Sequence, residues 1–174
     1  GNILAEDNPT FKLKIDYDLS RFMDPRVTEA LLLKASRSLE PGKNISNVKQ
    51  KIKAGKEELN TIIDKCFLSG LSKDRITERI DSINDEIWAI RTFQAWRKNC
   101  SDSPLYQENK KNIGSVHASE FIPDFEKNIP DPKERLLKVL AIDLYEMHQG
   151  HDLFTLKTDD DIFTAQFEFM NIEG

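Results

Sequence analysis

Cysteine, glycine, histidine and long apolar runs are scarce in this chain, and each scarcity excludes something. The two cysteines, Cys66 and Cys100, are too few for a disulfide framework. They fall near the tip and at the open end of a predicted helical hairpin, roughly 40 Å apart at the rise of an α-helix. A disulfide needs Cα atoms within about 7 Å. Both are therefore expected as buried free thiols, which suits a reducing compartment. The expected location is the cytoplasm, or a host cytosol for a secreted effector.

The seven glycines form no phosphate-binding loop. Neither Lys43 nor Lys56 follows that pattern, and Gly70-Leu71-Ser72-Lys73 lacks the upstream glycine. No Gly-x-Ser-x-Gly elbow occurs. No apolar run approaches the roughly 20 residues that span a bilayer, and the polar, acidic stretch from Gly1 to Phe11 does not read as a signal peptide. A basic surplus is also missing. Lys and Arg number 25 against 30 Asp and Glu, a net charge of −5, which argues against a general nucleic-acid binder.

What is present is a pair of apolar seams. Ile45, Val48, Ile52, Gly55, Leu59, Ile62 and Cys66 step by three and four, and so do Ile76, Ile80, Ile83, Ile87 and Ile90. That step keeps one stripe of a helix against a partner. Helices over 44–68 and 72–99 are predicted, with Gly70 as a left-handed stop and Ser72 as the next cap. So short a turn makes them an antiparallel hairpin. Aligned from the turn, Cys66 meets Ile76, Ile62 meets Ile80, Leu59 meets Ile83, Gly55 meets Ile87 and Ile52 meets Ile90. Gly55, opposite Ile87 and beside Trp88, implies room for a large side chain.

The flanking elements follow from local signals. Phe11 to Leu19 alternates apolar and polar, a half-buried strand pattern. Asp24 caps a helix over 25–40 with Pro25 at its first position. Asp131, Pro132 and Glu134 open a helix over 132–149, apolar nearly all round from Leu136 to Leu144. The stretch 101–131 reads as an irregular connection with a short helical turn around Ser119 to Phe125, pinned by Phe121, Ile122 and Phe125. Long irregular connections are often functional, so it is a candidate binding loop. Asp152 to Leu156 suits a strand, and the segment beyond it suits either a helix after Asp159-Asp160-Asp161 or a strand over 166–172.

Few constellations suggest chemistry. His148 and His151 could share a face and hold a divalent metal, with Asp152 or Glu146 as third ligand. The preferred reading is a surface pair near a helix end, because Gly150 should stop the helix before His151. The aspartate run lacks the alternating donors and glycine of a calcium loop. No cofactor is expected and no catalytic residue is assigned.

Charge carries more. Between Pro41 and Lys56 lie Lys43, Lys49, Lys51, Lys53 and Lys56 with no acid, whereas Asp143 to Gly174 carries eight acids and one lysine. Lys49, Lys53 and Lys56, with Arg91 across the hairpin, form a candidate basic face for an anionic lipid or an acidic protein surface. No aromatic interleaving accompanies it, so nucleic acid is not an expected partner. Trp88 and Trp96 are candidate interaction anchors, weighed against ordinary core packing.

The fold class expected is mainly α, a bundle built on the long antiparallel hairpin with a minor β element near the termini. One domain over 1–174 is expected, comprising a strand segment (1–22), three helices (24–100), the connection (101–131) and a core helix with the C-terminal segment (132–174). The start at Gly1-Asn2 suggests a piece of a longer protein. The abundance of Ile, Lys and Asn suggests a bacterial, effector-like parent. The leading functional expectation is a non-catalytic protein-interaction or scaffolding domain with a protein partner. An anionic-lipid targeting domain and a metal-assisted enzyme at His148 and His151 follow in that order.

Overall fold

The computed structural model describes residues 11–38, 44–68, 72–156, 158, 160 and 162–163. In chain order the elements are β1 (Phe11–Asp16), α1 (Tyr17–Ser20), a 3-10 turn (Arg21–Met23), α2 (Pro25–Ser36), α3 (Ile45–Leu68) and α4 (Lys73–Asn99). There follow α5 (Pro104–Asn109), a second 3-10 turn (Ile113–Ser115), α6 (Ala118–Asn128), α7 (Pro132–Leu140), a third 3-10 turn (Tyr145–His148) and β2 (Gly150–Leu156). The fold is mainly α: a bundle built on the α3–α4 hairpin, with β1 and β2 paired antiparallel at its side. No helix among the described residues is long and apolar enough to cross a membrane.

One core joins the hairpin to the sheet. Leu59, Ile63 and Cys66 of α3 bury against Ile76, Ile80, Ile83 and Ile87 of α4, together with Ile15, Tyr17 and Leu153. The seam frays at its open end, where Ile45 is 41% exposed, and slips at two further points. Ile63 is buried where Ile62 was expected, and Arg91 turns inward where Ile90 was expected, leaving Ile90 39% exposed. Both slips have one cause. A strict three-four alternation averages 3.5 residues per turn, whereas a straight helix turns every 3.6, so the buried line drifts by about 20° per heptad.

The large side chain that Gly55 admits is Phe22. An ideal Cβ on Gly55 would lie 2.1 Å from Phe22 Cδ2. Phe22 is held there by two buried polar fixtures. Asn84 Nδ2 donates to the Ser20 carbonyl at 3.0 Å and Ser20 Oγ donates to Asn84 Oδ1 at 3.1 Å. Asp24, buried at the start of α2, accepts from the Arg26 backbone N–H at 2.8 Å and from Arg26 Nε and Nη2 at 2.9 Å each. The same guanidinium reaches Asp85 at 2.6 Å and lies 5.2 Å from the Trp88 ring centre. The entry to α2 is thus locked to α4, and α2 itself packs on α3 and α7.

A second core closes the open end. Ala95, Trp96 and Cys100 pack on Val116, Phe121, Phe125 and Val139. Phe93, Trp96, Tyr106 and Phe121 form an aromatic cluster with ring centres 5.2 to 5.8 Å apart. The connection 101–131 is therefore not irregular. It folds as α5, a 3-10 turn and α6, with Phe121 and Phe125 buried as anchors and Ile122 left 42% exposed.

The helix expected over 132–149 stops at Leu140. Its opening follows the Asp131-Pro132 signal, since Asp131 Oδ1 accepts from the Lys133 N–H at 2.9 Å, while Glu134 lies 3.5 Å from Lys138. Its end is capped by Arg91, which donates through Nε to the Val139 carbonyl at 3.1 Å and through Nη2 to the Leu140 carbonyl. A cation on the last carbonyls stabilises a helix end. The chain then turns through Tyr145–His148 into β2, which runs antiparallel to β1 from Phe11 opposite Leu156 to Asp16 opposite Gly150. The alternatives for 166–172 lie outside the described residues.

Candidate interaction clefts along α3

Three concave surfaces line α3, and two of them flank its contact with α2. The first, about 360 Å³, has Phe22, Leu31, Ala35, Val48 and Ile52 as its apolar wall and Arg21, Lys34 and Lys51 at its edge. The second, about 350 Å³, lies among Thr28, Leu32, Lys49, Ile52, Lys53 and Lys56, with Glu57 beside them. Ile52, 9% exposed, is common to both. Helix phase explains the arrangement. Ile52 points at α2, so Lys51 and Lys53, one step of 100° to either side, fall on opposite flanks.

The lysines are available. Lys34, Lys49, Lys51 and Lys56 are exposed and make no ion pair among the described residues, while Lys53 lies 3.7 Å from Glu57 one turn away. A solvent-screened pair of that kind contributes only about 0.3–0.5 kcal/mol, so Lys53 is easily diverted to another anion. Arg21 is tied to Asp18 at 2.9 Å, and its Nε is buried with no hydrogen-bond partner among the described residues.

The third surface, about 370 Å³, lies on the other side of Phe22. Its apolar wall includes Leu13, Leu19, Phe22, Ile62 and Leu153, and its edge carries Asp16, Asp18, Glu58 and Lys14. Asp16 and Glu58 are exposed and make no ion pair among the described residues.

The expected site residues fall into three groups. Lys49, Lys53 and Lys56 share one cleft with Leu32 and Ile52. Arg91 does not join them. It is 2% exposed, donates to Tyr17 Oη at 3.2 Å as well as to the α7 carbonyls, and belongs to the interior. Burial pushes the Tyr17 phenol above its ordinary value, with the Arg91 guanidinium opposing. Trp96 is fully buried, its Nε1 donating to Asp124 at 2.7 Å, so it anchors the second core rather than a surface. Trp88 is half-buried between the guanidinium groups of Arg26 and Arg91.

The histidines are separated in role. His148 Nε2 lies 2.8 Å from Asp143 Oδ1, and His151 Nε2 lies 2.8 Å from the Glu146 carbonyl. Asp152 is drawn to Lys12 at 2.5 Å, a hydrogen bond that holds its carboxyl below the usual carboxylate range. Among the described residues no three His, Cys, Asp or Glu side chains are grouped as a metal centre requires.

Sequence reasoning missed Lys34, Lys51 and Glu58 as cleft residues, along with the aromatic wall of Phe22. The usable signal was Leu31 and Ala35, apolar residues at helical spacing on α2, with Lys34 beside them and Ser38 just past its end. No protein-family model, curated protein or solved structure matches the chain.

Proposed function

We propose that this chain is a non-catalytic protein-interaction domain that receives an acidic, amphipathic segment of a partner protein at the α2–α3 contact. One observation carries this reading. Recessed apolar walls around Ile52 are edged by Lys34, Lys49, Lys51 and Lys56, which make no ion pair among the described residues, on a chain whose net charge is negative. Unpaired cations around a desolvated floor favour a ligand that brings both carboxylates and apolar side chains. The partner's apolar residues would cover Phe22, Val48 and Ile52, and its acids would meet Lys34, Lys49, Lys51 and Lys56.

A second reading, an anionic-lipid surface, draws on Lys49, Lys53 and Lys56 with Ile45 41% exposed in the first turn of α3. Geometry favours the protein partner. A membrane-surface binder inserts protruding apolar groups, whereas Phe22 and Ile52 here are 6% and 9% exposed at the bottom of concavities.

Calorimetric titration with a synthetic acidic amphipathic helix tests the proposal, with flotation on anionic vesicles in parallel. Saturable peptide binding, weakened at least tenfold in Lys34→Glu/Lys51→Glu at an unchanged melting temperature, supports it. Vesicle binding without peptide binding, lost in Lys49→Glu/Lys53→Glu/Lys56→Glu, would transfer the site to lipid. Binding to neither would sink both readings.

A further inference from the structure

A two-stranded sheet leaves each strand one edge without a strand partner. β2 turns its edge to α4, whose Arg79 donates through Nε to the Asp152 carbonyl at 3.0 Å. β1 turns its edge to the acid-edged cleft. Four consecutive β1 residues, Leu13 to Asp16, line that cleft, against Leu153 alone from β2. Successive side chains of a strand point to opposite faces, so a concavity that meets all four runs along the edge rather than over one face. Among the described residues, no backbone–backbone hydrogen bond from Phe11 to Asp16 leaves the pairing with β2.

Open strand edges are commonly guarded by lysines. The two lysines of β1 do not guard this one. Both turn to Asp152 on the paired side, Lys12 at 2.5 Å and Lys14 at 3.9 Å. Across the cleft from the edge, Leu19, Phe22 and Ile62 form an apolar wall. The charge left at the rim is negative. Asp18 is neutralised by Arg21 at 2.9 Å, while Asp16 and Glu58 are exposed and make no ion pair among the described residues.

We infer that the β1 edge takes an extended segment of a partner protein as a third strand, its residues alternating between apolar and basic. In this mode of recognition main-chain hydrogen bonds supply affinity and alternate side chains supply selection. Leu13 to Asp16 spans roughly 10 Å at the rise of a strand, so about four residues of the segment pair. Its apolar residues share the face of Leu13 and Ile15, which packs towards the hairpin. Its cation shares the face of Asp16, and a cross-strand pair of opposite charge is favourable. Glu58, at the rim on α3, reinforces the preference for a basic segment over an acidic one. The stretch 166–172 of this chain, with Glu168 and no cation, has the wrong sign for the edge. The inference stands apart from the helix proposed at the α2–α3 contact, from which Phe22 divides this cleft.

Calorimetry on the intact chain tests it with two eight-residue peptides, one alternating valine and lysine and one alternating valine and glutamate. The first should bind at least tenfold more tightly. Asp16→Lys/Glu58→Lys, at two exposed positions, should reverse that order at an unchanged melting temperature, and Lys34→Glu/Lys51→Glu should leave it unaltered. A strand ladder uses only every other N–H of the added strand. N-methylation of one alternate set of peptide amides should therefore abolish binding, and methylation of the other set should spare it. Hydrogen exchange at the β1 amides should slow at least fivefold when the peptide is bound. Equal effects of the two methylated sets, unchanged exchange in β1, an order unmoved by Asp16→Lys/Glu58→Lys, or binding of neither peptide overturns the inference. Tighter binding of a peptide copying residues 165–174 would assign the edge to this chain's own sequence and overturn it as well.

Discussion

Replacing Arg91 by Met should unfold this protein more readily without touching the clefts. The guanidinium is 2% exposed and pairs with no carboxylate among the described residues; its partners are the Val139 and Leu140 carbonyls and the Tyr17 hydroxyl. Removing it takes the donor from the Leu140 carbonyl and from the buried Tyr17 hydroxyl, each at about 1–3 kcal/mol, while the Val139 carbonyl keeps the Ile142 N–H at 3.1 Å. The lost interaction with the helix dipole adds up to about 2 kcal/mol. Against this, a buried guanidinium carries a desolvation penalty of several kcal/mol, which the substitution relieves. The balance is a loss of about 2–4 kcal/mol, because the stranded acceptors and dipole term together exceed that relief. Urea unfolding gives the number from the midpoint at constant slope. Arg91→Lys should fall between, since an ammonium group lacks the fork that spans two carbonyls. A loss under about 0.5 kcal/mol, the range of unremarkable surface substitutions, would refute the capping role. So would weakened peptide binding at full stability, which would return Arg91 to a surface site.

Gly55→Ala should destabilise by about 1–3 kcal/mol through overpacking, despite the roughly 1 kcal/mol gained in helix propensity, because its Cβ would meet Phe22; Phe22→Leu in the same background should recover part of the loss in thermal melts. Burial pushes the Cys66 and Cys100 thiols from 9.0 to about 11, so the unfolded chain releases these protons first. Stability should therefore fall as pH rises from about 9 to 11, and a Cys66→Ala/Cys100→Ala variant that keeps the full alkaline slope would contradict this. At the acid side the sign reverses for Asp152. Its folded carboxyl is depressed chiefly by the Lys12 hydrogen bond, so its contribution is present above the ordinary carboxylate range and is lost as pH falls through the folded value; carboxyl titration by NMR should show an upward move in Lys12→Ala.

Local punctuation was legible because its physics is local. Asp24-Pro25 and Asp131-Pro132 open α2 and α7 where their side chains can reach the next N–H groups. The alternation from Phe11 and the strand from Asp152 end up paired, because each has one apolar face to bury against the hairpin. What failed was whatever a distant residue decides. No glycine or proline marks the end of α7 at Leu140; Arg91 caps it from a helix 48 positions upstream of the accepting Val139 carbonyl. Likewise, Pro104, Gly114 and Pro123 punctuate 101–131, yet Trp96 and Phe93 supply enough apolar surface to fold α5 and α6 against them.

The candidate site turned on helical phase more than on composition. Lys49 and Arg91 look alike in a charge count, but a residue adds 100° of rotation, and over several turns the gap between 3.5 and 3.6 residues decides which side chain faces in. On α4 that drift carries Arg91 into the interior and Ile90 out to solvent; on α3 it buries Ile63 and leaves Ile62 to line a cleft. The lysines of α3 stay outside because Ile52 and Leu59 hold the phase against α2 and α4. Their significance then depends on α2, which crosses at Ile52 and turns a plain basic face into concavities with an apolar floor. A charge run on one helix specifies attraction; the crossing of a second helix, fixed by Asp24, Arg26 and Phe22, specifies the shape that an attracted partner must fit.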